Sequence, residues 1–167
     1  YANSDWEMAS VMAQAKYAQE KYGNPESEDY IANYNVIAAI NGSGYNMTTG
    51  EPSGVLMMNG VEYHPIGSKG FFGMLTDGTA IIGTKDEYLQ LKSEGKLVEA
   101  IDNFGPTLIR DGEILVGPDS SGDPERDCLA RTALGITATG KVVFLVVERI
   151  KSEDYSNGAN MYHLAQI

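Results

Sequence analysis

The stretch GFFGMLTDGTAIIG, residues 70–83, decides how this chain is read. Two short apolar runs, Phe71–Thr76 and Thr79–Ile82, flank the pair Asp77-Gly78. Asp-Gly or Asn-Gly between β-prone runs is the strongest short hairpin signal, because a type I′ turn needs positive φ at both central residues. The same arrangement recurs on both sides. Upstream, Val55–Met58 leads through Asn59-Gly60 into Val61–His64. Downstream, Thr107–Val116 turns at Asp111-Gly112, and RTALGITA and KVVFLVVE flank Thr139-Gly140. Within the last arm VVFLVV, residues 142–147, is apolar on both faces, which predicts a central strand. A further apolar run, YNVIAAI at 34–40, predicts a buried strand.

Helix signals are fewer. Ser4 with Glu7 has capping-box spacing, and Trp6, Ala9, Met12 and Ala13 follow at helical intervals until Gly23 and Pro25. Thr84 with Glu87 opens a second helix that carries Tyr88 and Leu91 on one face and stops at Gly95. Asn160–Ile167 reads as the first turns of a third. The expected fold class is therefore α+β: a mainly antiparallel or mixed sheet built from hairpins, with two or three helices packed on it.

At 167 residues and 18.0 kDa the chain is one domain, 1–167, by the usual length expectation. Twelve Lys and Arg oppose 23 Asp and Glu, a formal net charge of −11. No basic cluster is present, which argues against nucleic acid and against anionic membrane surfaces as partners. No apolar run approaches the length of a membrane span. Cys128 is the single cysteine, so no disulfide can form within the chain. There is no Walker A sequence, no complete dinucleotide fingerprint and no G-x-S-x-G elbow. His64 and His163 are not at metal-ligand spacing, and the acidic loop with Asp119, Asp123, Glu125 and Asp127 does not follow the EF-hand pattern. Neither a metal nor a cofactor is expected.

Two places put polar groups at the edge of an apolar sheet. One is the strand end Asn41-Gly42, inside INGSGYN, where glycines permit close backbone approach to a ligand. The other is Arg131-Thr132, just after the acidic loop. Arginine presents a planar fork of donors suited to phosphate or carboxylate, and equally suited to an ion pair with Asp127.

INGSGYN at 40–46, GEPSGVLMMNG, NFGPTLIRDGE, RTALGIT…GKVVFLVVE and SNGANMYHLAQ stand in the same order as in the phosphodiester glycosidase domain family, which this chain resembles from about residue 8 to 167. The resemblance implies hydrolysis of a sugar-1-phosphodiester in an exported or cell-surface glycan, as in bacterial exopolysaccharide-related members, and hence an extracytoplasmic location. By match, it implies Glu148, Arg131 and Asn41 as catalytic and Gly42, Thr132, Ser156 and Gly158 as substrate-binding. The family usually shows Asp-Gly where this chain has Glu148-Arg149. Its opening strands and its Gly-rich Asp segment are not in the 167 residues, so the domain is expected to be completed by a second segment or chain. The alternative expectation is a binding module that holds a phosphorylated or acidic glycan without cleaving it.

Overall fold

The computed structural model describes residues 38–103, 105–118, 128–149 and 158–167. The helix expected after Ser4, most of the acidic loop and Ser156 lie outside them.

A five-stranded sheet forms the core. Its strands are β1 (Leu56–Met58), β2 (Val61–His64), β3 (Phe71–Leu75), β4 (Ala80–Gly83) and β5 (Leu97–Asp102), in the order β2-β1-β5-β3-β4. All pairings are antiparallel. The hairpins β1–β2 and β3–β4 form where Asn59-Gly60 and Asp77-Gly78 place them, and β5 inserts between the two. Asn59 (φ 51°) and Gly60 (φ 76°) both take the left-handed region, as a type I′ turn requires. At Asp77-Gly78 only Gly78 does, and Asp77 instead accepts a hydrogen bond from the Thr79 amide (2.8 Å).

Helix α1 (Lys85–Ser93) packs on one face of this sheet. The Thr84–Glu87 capping box closes its N-terminus as the spacing predicts. Tyr88 is fully buried and meets Phe71 edge-on, with ring centroids 5.3 Å apart. Val55, Met57, Leu97 and Ala100 complete that cluster. The Tyr88 hydroxyl donates to Glu62 on β2, which also pairs with Lys92 at 2.8 Å. Burial alone would raise the Glu62 pKa. The hydrogen bonds from Lys92 and Tyr88 outweigh it and hold the carboxyl below its usual range. Leu56, Met58, Tyr63 and Ile101 form a second, smaller apolar cluster.

The rest is ribbon. β6 (Ile109–Arg110) and β7 (Glu113–Ile114) turn through Asp111-Gly112, both at positive φ. β8 (Arg131–Ile136) and β9 (Val142–Val147) pair in register from Arg131–Val147 to Ile136–Val142. β8 approaches β4. Helix α2 (Met161–Gln166) is capped by Asn160, whose side chain accepts from the His163 amide (2.7 Å).

Three expectations are corrected. VVFLVV is not a central strand: β9 belongs to a two-stranded sheet, and Val143, Phe144 and Val146 are 45%, 39% and 62% exposed. LVEAID, which carries two acids and no strand signal strong enough to predict one, is the central strand instead. Ala38–Ile40, the described end of the YNVIAAI run, is irregular, and Ala38 and Ala39 are exposed. Two alanines offer little apolar area, and the chain here is entering a turn rather than a ladder. The architecture is mostly β, with two helices among the described residues and α1 lying on the sheet.

Candidate functional site

One end of the five-stranded sheet gathers several loops. The register Leu56–His64, Leu56–Ile101, Phe71–Asp102 and Phe71–Gly83 brings the start of β1 and β3 beside the ends of β2, β4 and β5. The segment Asn41–Gly44 docks on this end. A Cβ on Gly42 would touch Ile101 Cδ1 at 3.5 Å, and Ser43 Oγ accepts the Asp102 N–H (3.0 Å). Gly44 then begins a small hairpin: its carbonyl accepts from Ser53 N–H (3.0 Å), Tyr45 bridges Pro52, and Asn46 N–H donates to Glu51 O (2.8 Å). Asn41 and Gly42 are exposed at the base of this hairpin.

His64 lies at the same end. Its Nδ1 is 2.9 Å from Gly54 O and 3.1 Å from Pro65 O. Carbonyl oxygens only accept, so Nδ1 carries the proton. Asp102 is 8% exposed, and burial raises its pKa, with Lys69 and His64 offsetting part of the shift. Beside it opens a cleft of about 320 Å³ lined by Lys69, Gly70, Asn103, Gly105, Pro106 and Thr107. With its amide oriented to satisfy both ends, Asn103 donates to Gly105 O (2.9 Å) and accepts from Thr107 Oγ1 (3.1 Å), which holds one wall of the cleft.

The other expected residues sit on the β8–β9 ribbon. Arg131 opens β8 opposite Val147, so Glu148 follows at the same end. The Arg131 Nε–H donates to Ala159 O (3.0 Å) and so fixes the direction of the guanidinium plane. Leu129 and Ala159 exchange backbone hydrogen bonds (3.3 and 3.0 Å). Gly158 has φ +84°, and a Cβ there would lie 2.5 Å from Leu129 O, so two separate constraints demand glycine. Thr132 and Glu148 are exposed.

The structure thus places Arg131, Thr132, Glu148 and Gly158 around one end of the ribbon and Asn41 and Gly42 at the end of the sheet. Ser156 lies outside the described residues. The sequence reading missed Ser43, His64, Lys69 and Asp102 as members of the sheet-end grouping. Lys69 and Asp102 belong to no motif, and His64 offered only a residue type.

The profile of the phosphodiester glycosidase family matches residues 34–167. Among solved structures, one that the chain resembles is the catalytic domain of zebrafish N-acetylglucosamine-1-phosphodiester α-N-acetylglucosaminidase, auto-inhibited by its pro-peptide. The TM-score is 0.57 at 24% identity, over 75% of this chain and 44% of that one, so the chain spans less than half of that structure. A search of curated proteins finds no match.

Proposed function

Because this chain belongs to the phosphodiester glycosidase family, we propose that it hydrolyses a sugar-1-phosphodiester carried by an exported or cell-surface glycan or glycoconjugate, outside the cytoplasm. The observation that carries this reading is the family match over residues 34–167, whose shared motifs put Asn41-Gly42 and Arg131-Thr132 at exposed or half-exposed element ends.

The chemistry sets the division of labour. Water adds to the anomeric carbon, the bond from that carbon to the phosphate oxygen breaks, and the phosphate leaves as a monoester bearing its aglycone. A phosphate monoester is a better leaving group than an alcohol, so less is asked of a general acid than in ordinary glycoside hydrolysis. What remains is to hold the phosphate, place the water and stabilise positive charge on the sugar ring.

In this reading Arg131 grips the phosphate, with Thr132 and the amides near Gly42. Its Nε bond to Ala159 pre-sets the guanidinium plane, which lowers the cost of ordering a long side chain. Asn41 orients sugar hydroxyls. Glu148 is the carboxylate that faces the developing cation or the attacking water. Ser156 and Gly158 belong to the substrate-binding rim. An overall charge of −11 repels an anionic substrate, so the local cation at Arg131 is what makes binding feasible.

Phosphorus NMR of the full chain with a panel of alkyl sugar-1-phosphodiesters tests this. The expected result is conversion of the diester resonance to an alkyl phosphate with release of free sugar. Arg131→Ala should lower kcat/KM by about 10²-fold or more, as loss of a charged transition-state contact does. Formation of sugar-1-phosphate instead would mean cleavage on the other side of the bridging oxygen and would overturn the glycosidase assignment. A diester that binds in an Arg131-dependent way but is never cleaved would replace hydrolysis by glycan binding.

A further inference from the structure

Asp102 touches both arms of the hairpin that begins at the candidate site. Its backbone N–H donates to Ser43 Oγ on the first arm (3.0 Å). Its side chain fills the space where a Cβ on Gly54, at the end of the second arm, would stand: such an atom would lie 2.1 Å from Asp102 Cγ and 2.2 Å from Oδ1. Gly54 does not have a positive φ, so it is glycine for room and not for backbone conformation. Gly54 is also gripped from its carbonyl, which accepts from His64 Nδ1 (2.9 Å). The arms are joined just above by Ser53 N–H to Gly44 O (3.0 Å).

We infer that Asp102 is a positioning residue of the candidate site: wedged against Gly54 and bonded to Ser43, it clamps the base of the 43–54 hairpin and so fixes where Asn41 and Gly42 stand. The role is one of shape. The aspartate side chain is short enough to fit between β5 and Gly54, and the carboxyl faces Lys69 and His64 without displacing either. Leaving this end carboxyl buried has a cost, since burial disfavours its charged form. Retaining it at 8% exposure is what a packing function at the hairpin base explains. The catalytic consequence rests on the function proposed above; the clamp itself does not.

The test uses the full chain and amide hydrogen exchange, read at Ser53, whose N–H closes the hairpin, against the amides of β3 and β5. Asp102→Ala, which empties the wedge, should speed exchange at Ser53 by about tenfold while β3 and β5 stay within about twofold, the pattern of local opening. Gly54→Ala, which overfills it, should do the same. The double variant Gly54→Ala/Asp102→Ala, in which a new methyl meets a vacated space, should return towards the parent. Asp102→Asn, with the same shape, should keep the parent's protection. Where hydrolysis is measurable, kcat/KM should fall and recover in the same order. Unchanged Ser53 exchange in Asp102→Ala, equal acceleration across β3 and β5, or Asp102→Asn behaving like Asp102→Ala would each overturn the assignment. Should Asp102→Ala fail to fold, Gly54→Ala poses the same question from the other side of the contact. A parent chain that lacks hydrolysis bears on the proposed activity and leaves the exchange result standing.

Discussion

β5 and β9 are each six residues long, and they have exchanged the places their compositions suggest. VVFLVV has no polar side chain, yet it pairs with one neighbour and leaves Val146 62% exposed. LVEAID has two acids, yet it is hydrogen-bonded on both edges at the centre of the sheet. The difference lies in partners. Glu99 is 5% exposed because its carboxylate accepts the Asn59 N–H (2.8 Å) at the turn of the neighbouring hairpin. Asp102 is tolerated because it meets a glycine. A buried acid is costly only when nothing answers it. Apolar side chains, conversely, stay exposed when no face is offered to cover them, and such a face marks a contact surface.

This contrast can be broken by mutation. The largest effect should come from Tyr88→Ala beneath the sheet, which removes a fully buried ring and its Phe71 contact. A loss of about 3–5 kcal/mol in denaturant unfolding is expected, the range for truncating a buried aromatic. A loss below 1 kcal/mol would mean that the five-stranded sheet is not the stable unit.

Next is Gly158→Ala at the ribbon end. Forcing a side chain to positive φ costs about 1–3 kcal/mol, and the Leu129 carbonyl occupies the Cβ position besides. The Leu129–Ala159 bridge and the Arg131 Nε bond should both loosen, which amide exchange at Ala159 reports. Unperturbed exchange there would separate Gly158 from the Arg131 support.

Thr84→Ala removes one half of the capping box and should cost about 1 kcal/mol. Its effect should be confined to α1 and the sheet, since the helix contacts β5 and not the β8–β9 ribbon in any extensive way.

Acid should act on the same unit. Glu62 has its folded pKa below its unfolded value, so the stability it contributes is present above the unfolded value of 4.5 and lost as pH falls through the folded one. Because the pair with Lys92 is partly exposed, the loss should be under about 1 kcal/mol. Asp102 has the opposite sign: its folded pKa is raised, so it opposes folding above that pKa and ceases to as pH falls. Glu62→Gln should flatten the acid limb of a stability-against-pH curve, and Asp102→Asn should steepen it. Identical curves for the two would contradict the opposed shifts.

The smallest effect should be Val146→Thr, within about 0.5 kcal/mol, as for surface positions generally. A cost matching Tyr88→Ala would show that β9 is covered in solution and would restore the expectation of a central strand.

The sequence by itself determined what short-range chemistry governs. Asn59-Gly60 and Asp111-Gly112 form their hairpins because few other pairs accept two positive φ values. Thr84 and Glu87 start α1 because their side chains satisfy each other's backbone donors within one turn. Motif order likewise placed Asn41-Gly42 and Arg131-Thr132 at element ends, where the structure has them. Only tertiary structure decided strand order and the company each end keeps. The bonds that set them link residues far apart in sequence: Asn59 with Glu99, Ser43 with Asp102, Arg131 with Ala159. No local pattern records such a partner, because whether a buried acid or an exposed valine is acceptable depends on what the rest of the chain brings against it.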